Sequence, residues 1–335
     1  MIRLVSPARL RELGILGMNR RNISFIGTHN RRKNYRLADN KLATKSAALS
    51  RGLPVPKLYG TIESQSQIKS MAAQLADKPS FVIKPAQGSG GKGILVVTGR
   101  ADGLFVKSSG LVIDEREIQK HTSNILAGLY SLGGRNDSAM VEALIDFDPR
   151  LQDYSVEGVP DIRIIVFRGV PVMAMMRCAT HASDGKANLH QGAVGVGLDI
   201  GTGQSLHAVQ YNRIINQHPD SGKGFADLAI PHWHQVLDLA ASCASMTGLD
   251  YLGADIVLDL QGGPMLLELN ARPGLAIQVA NQAGLRWRLA AAAEIADRTT
   301  DQAEKIQWAC EQFTREPAGQ LDLVINKAVA SNPVR

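Results

Sequence analysis

The sequence predicts an α+β fold in which antiparallel or mixed sheets carry helices on their faces. Two pairs of strand-like runs are joined by short turns and read as hairpins, and helical stretches are intermixed with them. The 335 residues suit one large domain or two to three packed lobes and are ample for a core.

In chain order, residues 40–51, NKLATKSAALSR, are strong helix formers with Asp39 or Asn40 as the cap. Gly52 and the two prolines of GLPVP stop that helix. Residues 64–76 give a second helix, SFVIKP and GILVVTG two short strands, and SAMVEALI a third strand leading into a loop with Pro149. DIRIIVFRGVPVMAMMRCA is a hairpin turning at Arg168-Gly169, with Pro171 just beyond the turn. IPHWHQVLDLAASCASMTGL is an amphipathic helix, and YLGADIVLDLQGGPMLLELN is a second hairpin. LRWRLAAAAEIADRTTDQAEKIQWACEQF is helical, with a break near Thr299-Thr300. There is no internal repeat and no low-complexity segment.

No apolar run approaches the roughly 20 residues of a membrane span, and the N-terminus has no secretory h-region. Cys178, Cys243 and Cys310 are far apart without metal spacing and read as reduced thiols, so a cytoplasmic location is expected. The net charge of +6 is unevenly placed. Residues 1–40 hold nine Arg or Lys (Arg3, Arg9, Arg11, Arg20, Arg21, Arg31, Arg32, Lys33 and Arg36) against Glu12 and Asp39, leaving the rest close to neutral. Such a cluster serves either an acidic partner or simply a solvated collar. No aromatic interleaving or nucleic-acid motif accompanies it, and nucleic acid is not expected as a partner.

The stretch GGPMLLELNARPGL contains a contradiction, because Glu268 and Asn270 interrupt a run of leucines. If Gln261-Gly262 is a two-residue turn, Leu260 opposes Gly263 and Asp255 opposes Glu268. Alternation then places Asp255, Val257, Glu268 and Asn270 on one face. Two carboxylates and an amide oxygen form a poor core but a good site for a hard cation, with room for water and phosphate. The competing reading pairs the carboxylates with buried arginines. A second signal is FVIKPAQGSGGKGILVV, where Gly88, Ser89, Gly90, Gly91 and Gly93 form a loop whose N–H groups can approach anions. Lys84 ends the strand before it and Lys92 lies within it. The spacing is not that of a Walker A loop, and a strand rather than a helix follows, which excludes a Rossmann fingerprint. The loop reads as a phosphate flap or as a flexible hairpin tip.

These signals stand in order, about 170 residues apart, and with their flanking pieces the sequence resembles the ATP-grasp superfamily from about Lys41 to Leu275. DNKLATKSAALSRGLPVPKLYG looks like the opening helix with a phosphate-contacting lysine at Lys41. FVIKPAQGSGGKGI looks like the second lysine, Lys84, and the flap. AMVEALI resembles the interlobe hinge, where Glu142 and the backbone around Leu144 would meet adenine; Asp146 and Asp148 are both candidates for the ribose. DIRIIVFRG…AMMR resembles the arginine pair Arg163 and Arg177. GADIVLD…PMLLELNARPG resembles the metal hairpin, with Asp255, Glu268 and Asn270 as Mg²⁺ ligands. DIRIIVFRGVPVMAMMR with NLHQGA looks like the α-L-glutamate ligases, the group of closest overall resemblance. HPDSGKGFADLAIPHW and LLELNARPGL also look like ATP-grasp proteins associated with sugar transfer.

The resemblance implies two lobes clasping ATP, with residues 1–40 a basic segment, 41–145 the first lobe, 146–290 the second and 291–335 a helical tail. One departure is the lack of a full α/β domain ahead of Lys41. The implied activity is an ATP-dependent carboxylate–amine ligase, with Mg²⁺ as one or two ions and Mn²⁺ able to substitute. It would join glutamate or a similar amino acid or small carboxylate to an amine on a peptide, protein or small molecule. Arg163 and Arg177 would hold γ-phosphate and carboxylate, Arg272 would bind an acidic substrate group, and Asn188 would orient the substrate, although turn and surface roles compete for the last two. A homo-oligomer is compatible with this reading. The rival functions are a kinase on the same scaffold, a non-catalytic nucleotide-binding protein, and a nucleic-acid module resting on the basic segment. His190, His218, His232 and His234 read as structural, and Cys178 has no His–acid partner to make it a nucleophile.

Overall fold

Two antiparallel sheets organise the chain, and each gathers its strands from a continuous part of the sequence. The computed structural model describes residues 5–88, 90–131 and 133–314. The first sheet contains β1 (Leu58–Ile62), β2 (Phe81–Pro85), β3 (Leu95–Ala101), β4 (Leu104–Lys107), β5 (Val112–Ile113) and β6 (Ala139–Glu142), in the order β1-β6-β2-β3-β4-β5. The second contains β7 (Asp161–Phe167), β8 (Val170–Cys178), β9 (Val194–Leu198), β10 (Ser205–Gln210), β11 (Arg213–Ile215), β12 (Tyr251–Asp259) and β13 (Gly263–Asn270), in the order β11-β10-β9-β8-β7-β12-β13. The helices are α1 (Pro7–Glu12), α2 (Met18–Arg20), α3 (Arg36–Asp39), α4 (Lys41–Leu49), α5 (Gln65–Leu75), α6 (Glu115–Leu126), α7 (Trp233–Thr247), α8 (Ile277–Ala280), α9 (Leu285–Arg298) and α10 (Gln302–Phe313). Every pairing is antiparallel, which narrows the expected antiparallel or mixed arrangement. Among the described residues no helix is long and apolar enough to cross a membrane.

Each sheet has its own core. Phe81, Ile83 and Val97 of the first sheet pack against Met71 and Leu75 of α5 and Ile118 and Ile125 of α6. The second core is larger and gathers strands β7–β10 and β12 with α7 and α9. Helix α4, expected to open the first lobe, instead buries Ala48 in the second core, and it is capped as its sequence asks: the Asn40 side chain accepts from Ala43 N at 3.0 Å. Helix α6 and strands β1, β4, β5, β9, β10 and β11 are not among the expected elements.

The β7–β8 hairpin turns at Arg168-Gly169 as expected; both residues have positive φ, 52° and 81°, as a two-residue hairpin turn requires. The β12–β13 hairpin corrects the expectation. Asp259 pairs with Gly263, so the turn holds three residues, Leu260, Gln261 and Gly262, and Leu260 does not oppose Gly263. The physical reason is Asp259, whose Oδ1 accepts from Gln261 N at 3.1 Å and Gly262 N at 2.8 Å and so closes a wider loop. Further along, Ile256 pairs with Leu266 but Asp255 pairs with Glu268, so the extra residue Leu267 forms a bulge. The two one-residue departures cancel, and Asp255 faces Glu268 after all.

The basic segment ahead of Lys41 packs on the second lobe. Leu16 is buried and its N–H donates to Gln278 Oε1 at 2.8 Å. Asn30 pairs its side chain with both backbone groups of Tyr251, at 2.7 and 2.9 Å, and Arg21 donates to Pro273 O at 2.7 Å. At the other end, α9 crosses residue 290 and its Arg288 donates to Val172 O of β8 at 2.9 Å. The chain breaks between α9 and α10 at residues 299–301, with Asp301 capping α10. Residues 315–335 of the expected tail lie outside the described residues.

Candidate active site

Strand register assembles one face of the second sheet. Asp161 pairs with Arg177, Arg163 with Met175, and Asp255 with both Arg163 and Glu268. Residues paired across a sheet, or two apart on a strand, share a face, so these side chains meet. Arg163 forks onto Asp255, with Nε at 2.7 Å from Oδ1 and Nη2 at 2.5 Å from Oδ2. Arg177 forks onto Asp161, with Nε at 2.5 Å and Nη2 at 2.6 Å, and its Nη2 also reaches Asp255 Oδ2 at 2.7 Å. Asn270 Nδ2 donates to the same Oδ2 at 3.3 Å.

Asp255 is completely buried, and burial would push its carboxyl up. The Arg163 and Arg177 guanidiniums outweigh that and hold it at about 2. Asp161 is raised to about 6, by burial against the opposing pull of Arg177 and with help from the charge of Asp255. Arg177 stays charged, because two carboxylates more than offset its burial. The competing reading of the hairpin, carboxylates on buried arginines, therefore describes Asp255 as it stands.

Three lysines, two on α4 and one on β2, accompany this cluster. Lys41 sits at the start of α4, donates to Gly88 O at 2.8 Å and lies 3.3 Å from Glu268 Oε2, so it ties the opening helix, the glycine loop and the hairpin together. Lys84 pairs with Glu142 Oε2, and Lys45 with Glu142 Oε1 at 2.7 Å and with Pro56 O. All three of these charged groups are buried. Burial lowers the Lys45 ammonium from its ordinary range, and Glu142 only partly restores it.

The glycine loop bends toward the second lobe. Gly90, Gly91 and Gly93 have φ of 64°, 73° and 76°, a region that side chains disfavour. A Cβ on Gly93 would lie 2.5 Å from the Tyr130 ring, so a glycine is required there on steric grounds as well. The Lys186 side chain approaches Gly91, and Asn188 Nδ2 stands 4.0 Å from where a Cβ on Gly90 would be. His121 holds the base of the loop through Nε2, 3.0 Å from Gly93 O. Ser89 lies outside the described residues.

The model of the family described as sugar-transfer associated ATP-grasp matches residues 20–294. The chain belongs to that family. Of the two resemblances seen in the sequence, the match falls on the sugar-transfer-associated one rather than on the glutamate-ligase-like one. No curated protein matches the chain. Among solved structures similar to it, the ATP-grasp ligase PsnB complexed with minimal precursor is 14% identical, covering 80% of this chain and 64% of that one, with a TM-score of 0.43. D-cycloserine synthetase DcsG is 15% identical over 79% of this chain and 71% of its own, with a TM-score of 0.44. An L-amino acid ligase from Bacillus licheniformis is 16% identical over 74% and 43%, with a TM-score of 0.40. This chain thus spans less than two thirds of the length of PsnB and less than half that of the L-amino acid ligase.

Within this ATP-grasp chain the remaining expected residues are placed unevenly. Leu144 is half-buried in the segment that leaves β6 for the second lobe. Asp148 is committed: it caps the turn at Pro149–Tyr154 and takes a fork from Arg150, which holds its carboxyl low, whereas Asp146 is exposed. Asn188 caps a short 3₁₀ turn by accepting from His190 N at 3.0 Å. Arg272 is turned away from Asp255, lying over the Tyr35 ring at 4.8 Å and 3.8 Å from Asp39. Cys178 is fully buried, and burial raises its thiol well beyond a reactive range.

Among the described residues no group of three or more His, Cys, Asp or Glu is arranged to hold an ion. Both Asp255 oxygens are engaged by guanidiniums. The Glu268 carboxylate, 31% exposed and 3.3 Å from Lys41, shares its strand face with Asn270, and oxygen donors of this kind suit a hard cation. Sequence reasoning missed Asp161 and Lys45. The available signals were the i, i+2 spacing of Asp161 and Arg163 on a strand, and the i, i+4 spacing of Lys41 and Lys45 on a helix.

Proposed function

We propose that this ATP-grasp protein is an ATP- and Mg²⁺-dependent, ADP-forming carboxylate–amine ligase. The observation that carries the reading is the forked arginine pair, fixed by Asp255 and Asp161, on the sheet face whose Glu268 is tied through Lys41 to the glycine loop. A carboxylate oxygen would attack the γ-phosphorus of ATP, displacing ADP and giving an acyl phosphate. An amine would then attack the acyl carbon, and phosphate and a proton would leave as the amide forms. Phosphoryl transfer needs positioning and charge neutralisation more than covalent help.

The residues are of the right kind for each demand. Lys41, Lys84 and the N–H groups of Gly88, Gly90 and Gly91 would neutralise phosphate oxygens. The Leu144 backbone, and Glu142 on release from Lys45 and Lys84, would meet adenine. Arg163 and Arg177 would hold the carboxylate and the phosphoryl group together and steady the developing oxyanion. Glu268, Asn270 and, on release from a guanidinium, Asp255 would hold Mg²⁺, which supplies charge neutralisation and a template for the phosphates. Asn188 would orient the substrate from the turn that meets the loop tip, and Arg272 would act at the periphery. Glutamate as donor comes from the resemblance alone.

The test is ADP release by the purified protein with Mg-ATP, comparing each acid alone, each amine alone, and both together. Release that needs both supports the ligase. Release with a hydroxyl compound and no amine would identify a kinase instead.

A further inference from the structure

A basic track leads away from the candidate active site along the segment ahead of α4. Residues 29–41, HNRRKNYRLADNK, hold five Arg or Lys against one acid, Asp39. A 3₁₀ turn at Arg32–Asn34 runs into α3 through Tyr35, whose backbone is also helical, with φ −60° and ψ −31°. On such a run residues four and seven apart share a face, so Arg32, Arg36 and Asp39 form one stripe, with Lys33 beside Arg36. At about 1.5 Å per residue the stripe is about 10 Å long. Its inner end is joined to the site at two points. Asp39 lies 3.8 Å from Arg272, which follows Asn270 by two residues at the end of β13. Lys41, two residues beyond Asp39, lies 3.3 Å from Glu268.

The cations of the stripe have nothing to neutralise them. Arg32, Lys33 and Arg36 are exposed, and among the described residues no ion pair or side-chain hydrogen bond engages them. Asp250 also borders the segment, 3.9 Å from His29. Arg272 is 54% exposed, and at 3.8 Å its contact with Asp39 is too long for a hydrogen bond, so its donors stay open. The Tyr35 ring, 4.8 Å away, holds that guanidinium at the head of the stripe. Uncharged residues do the anchoring. Asn30 bonds both backbone groups of Tyr251, and Asn34 Nδ2 donates to Gly248 O at 2.9 Å. The segment is therefore fixed without using its arginines. Like charges three and four residues apart destabilise a helical run, and an anion laid along the stripe relieves that repulsion.

We propose that one of the two substrates joined at this site carries an anionic tail of several phosphates or carboxylates, which lies along Arg272, Arg36 and Arg32. Guanidiniums suit both groups, because their paired donors match the oxygens of either. The position at the site edge leaves the reacting end of the substrate within the cluster of Arg163, Arg177 and Glu268. The inference rests on the ligase reading and deepens it by naming the class of substrate.

The test reads binding without turnover. Fluorescein-labelled short polyphosphate and oligo-glutamate are titrated with the full chain and followed by fluorescence anisotropy, so that the two arms tell phosphate from carboxylate. Binding of at least one is expected, weakening steeply between about 50 and 200 mM salt. Arg32→Gln, Lys33→Gln and Arg36→Gln combined should weaken it by about tenfold or more, with Mg-ATP affinity unchanged. Arg9→Gln, Arg11→Gln and Arg116→Gln, also at exposed positions but off the stripe, remove the same charge and should have far less effect. A benzophenone at the end of the bound anion should label residues 31–40 or 270–275, mapped by mass spectrometry. Equal weakening by the two triple variants, labelling confined to other parts of the chain, or binding of neither anion would overturn the inference. Tighter binding of a DNA oligonucleotide than of both anions would overturn it too, in favour of a nucleic-acid surface. Failure of the ligase reading has a separate signature: ADP release that ignores acid and amine while the anisotropy results stand.

Discussion

Glu142→Gln tests the lysine side of the cleft. Glu142 sits between two ammonium groups, with side-chain exposures of 6% for Lys45, 3% for Glu142 and 7% for Lys84. At the 2.7 Å of the Lys45 pair and an effective dielectric of about 20, one such contact is worth about 6 kcal/mol gross. Desolvation of three charges offsets most of that. Removing the single negative charge, however, strands two buried cations beside each other, and breaking a buried pair in this way costs about 3–5 kcal/mol. The loss falls where β2 and β6 of the first sheet meet α4. Native-state hydrogen exchange of β2 and β6 amides is the assay. Adding Lys45→Met to Glu142→Gln removes one stranded cation and should recover about 1–2 kcal/mol. A loss under about 1 kcal/mol, or a double variant no better than the single one, would refute the reasoning.

Four further outcomes follow from the same geometry. Glu268→Gln should abolish Mg²⁺-dependent ATP turnover with the circular dichroism spectrum unchanged, and surviving turnover would remove the hairpin as the metal site. Asp161→Asn deprives Arg177 of its forked anchor and should lower kcat/KM by about 10²–10³-fold with the KM for ATP little changed, measured by steady-state ADP release. Gly93→Val forces a side chain onto the Tyr130 ring at positive φ and should cost about 1–3 kcal/mol and speed proteolysis of the glycine loop, with Mg-ATP protecting wild type near Gly90. Lys45 is held below its ordinary 10.5, so the unfolded chain binds the proton more readily between the lowered value and 10.5. Stability should therefore rise with pH through that window, and Lys45→Met should flatten the rise in a denaturation series.

What could be read from the sequence was local. The Arg168-Gly169 hairpin announces itself, because Gly169 suits a positive-φ turn position and both flanks are runs of apolar residues. The Asp255–Glu268 pairing was reached only because the wider turn at Asp259 and the bulge at Leu267 cancel, and neither has a sequence signature. Helix α6 was legible in principle, since Asp114 and Glu117 form a capping box. Strand β9 was not, because Gly195 and Gly197 dilute the β pattern and make sense only once Leu189 and Ala280 are packed over them. The same limit hid Asp161 and Lys45. Each is an ordinary charged residue until its partner, Arg177 or Glu142, arrives from elsewhere in the chain.

The central claim is that a carboxylate oxygen attacks ATP beside Arg163 and Arg177. It is tested most directly by isotope transfer. An acid that supports ADP release is prepared with ¹⁸O in its carboxylate and turned over with Mg-ATP and its amine, and the released phosphate is weighed by mass spectrometry. The account predicts one ¹⁸O atom in each phosphate and the other in the amide carbonyl. Unlabelled phosphate, with both ¹⁸O atoms still on the acid or its product, would contradict it.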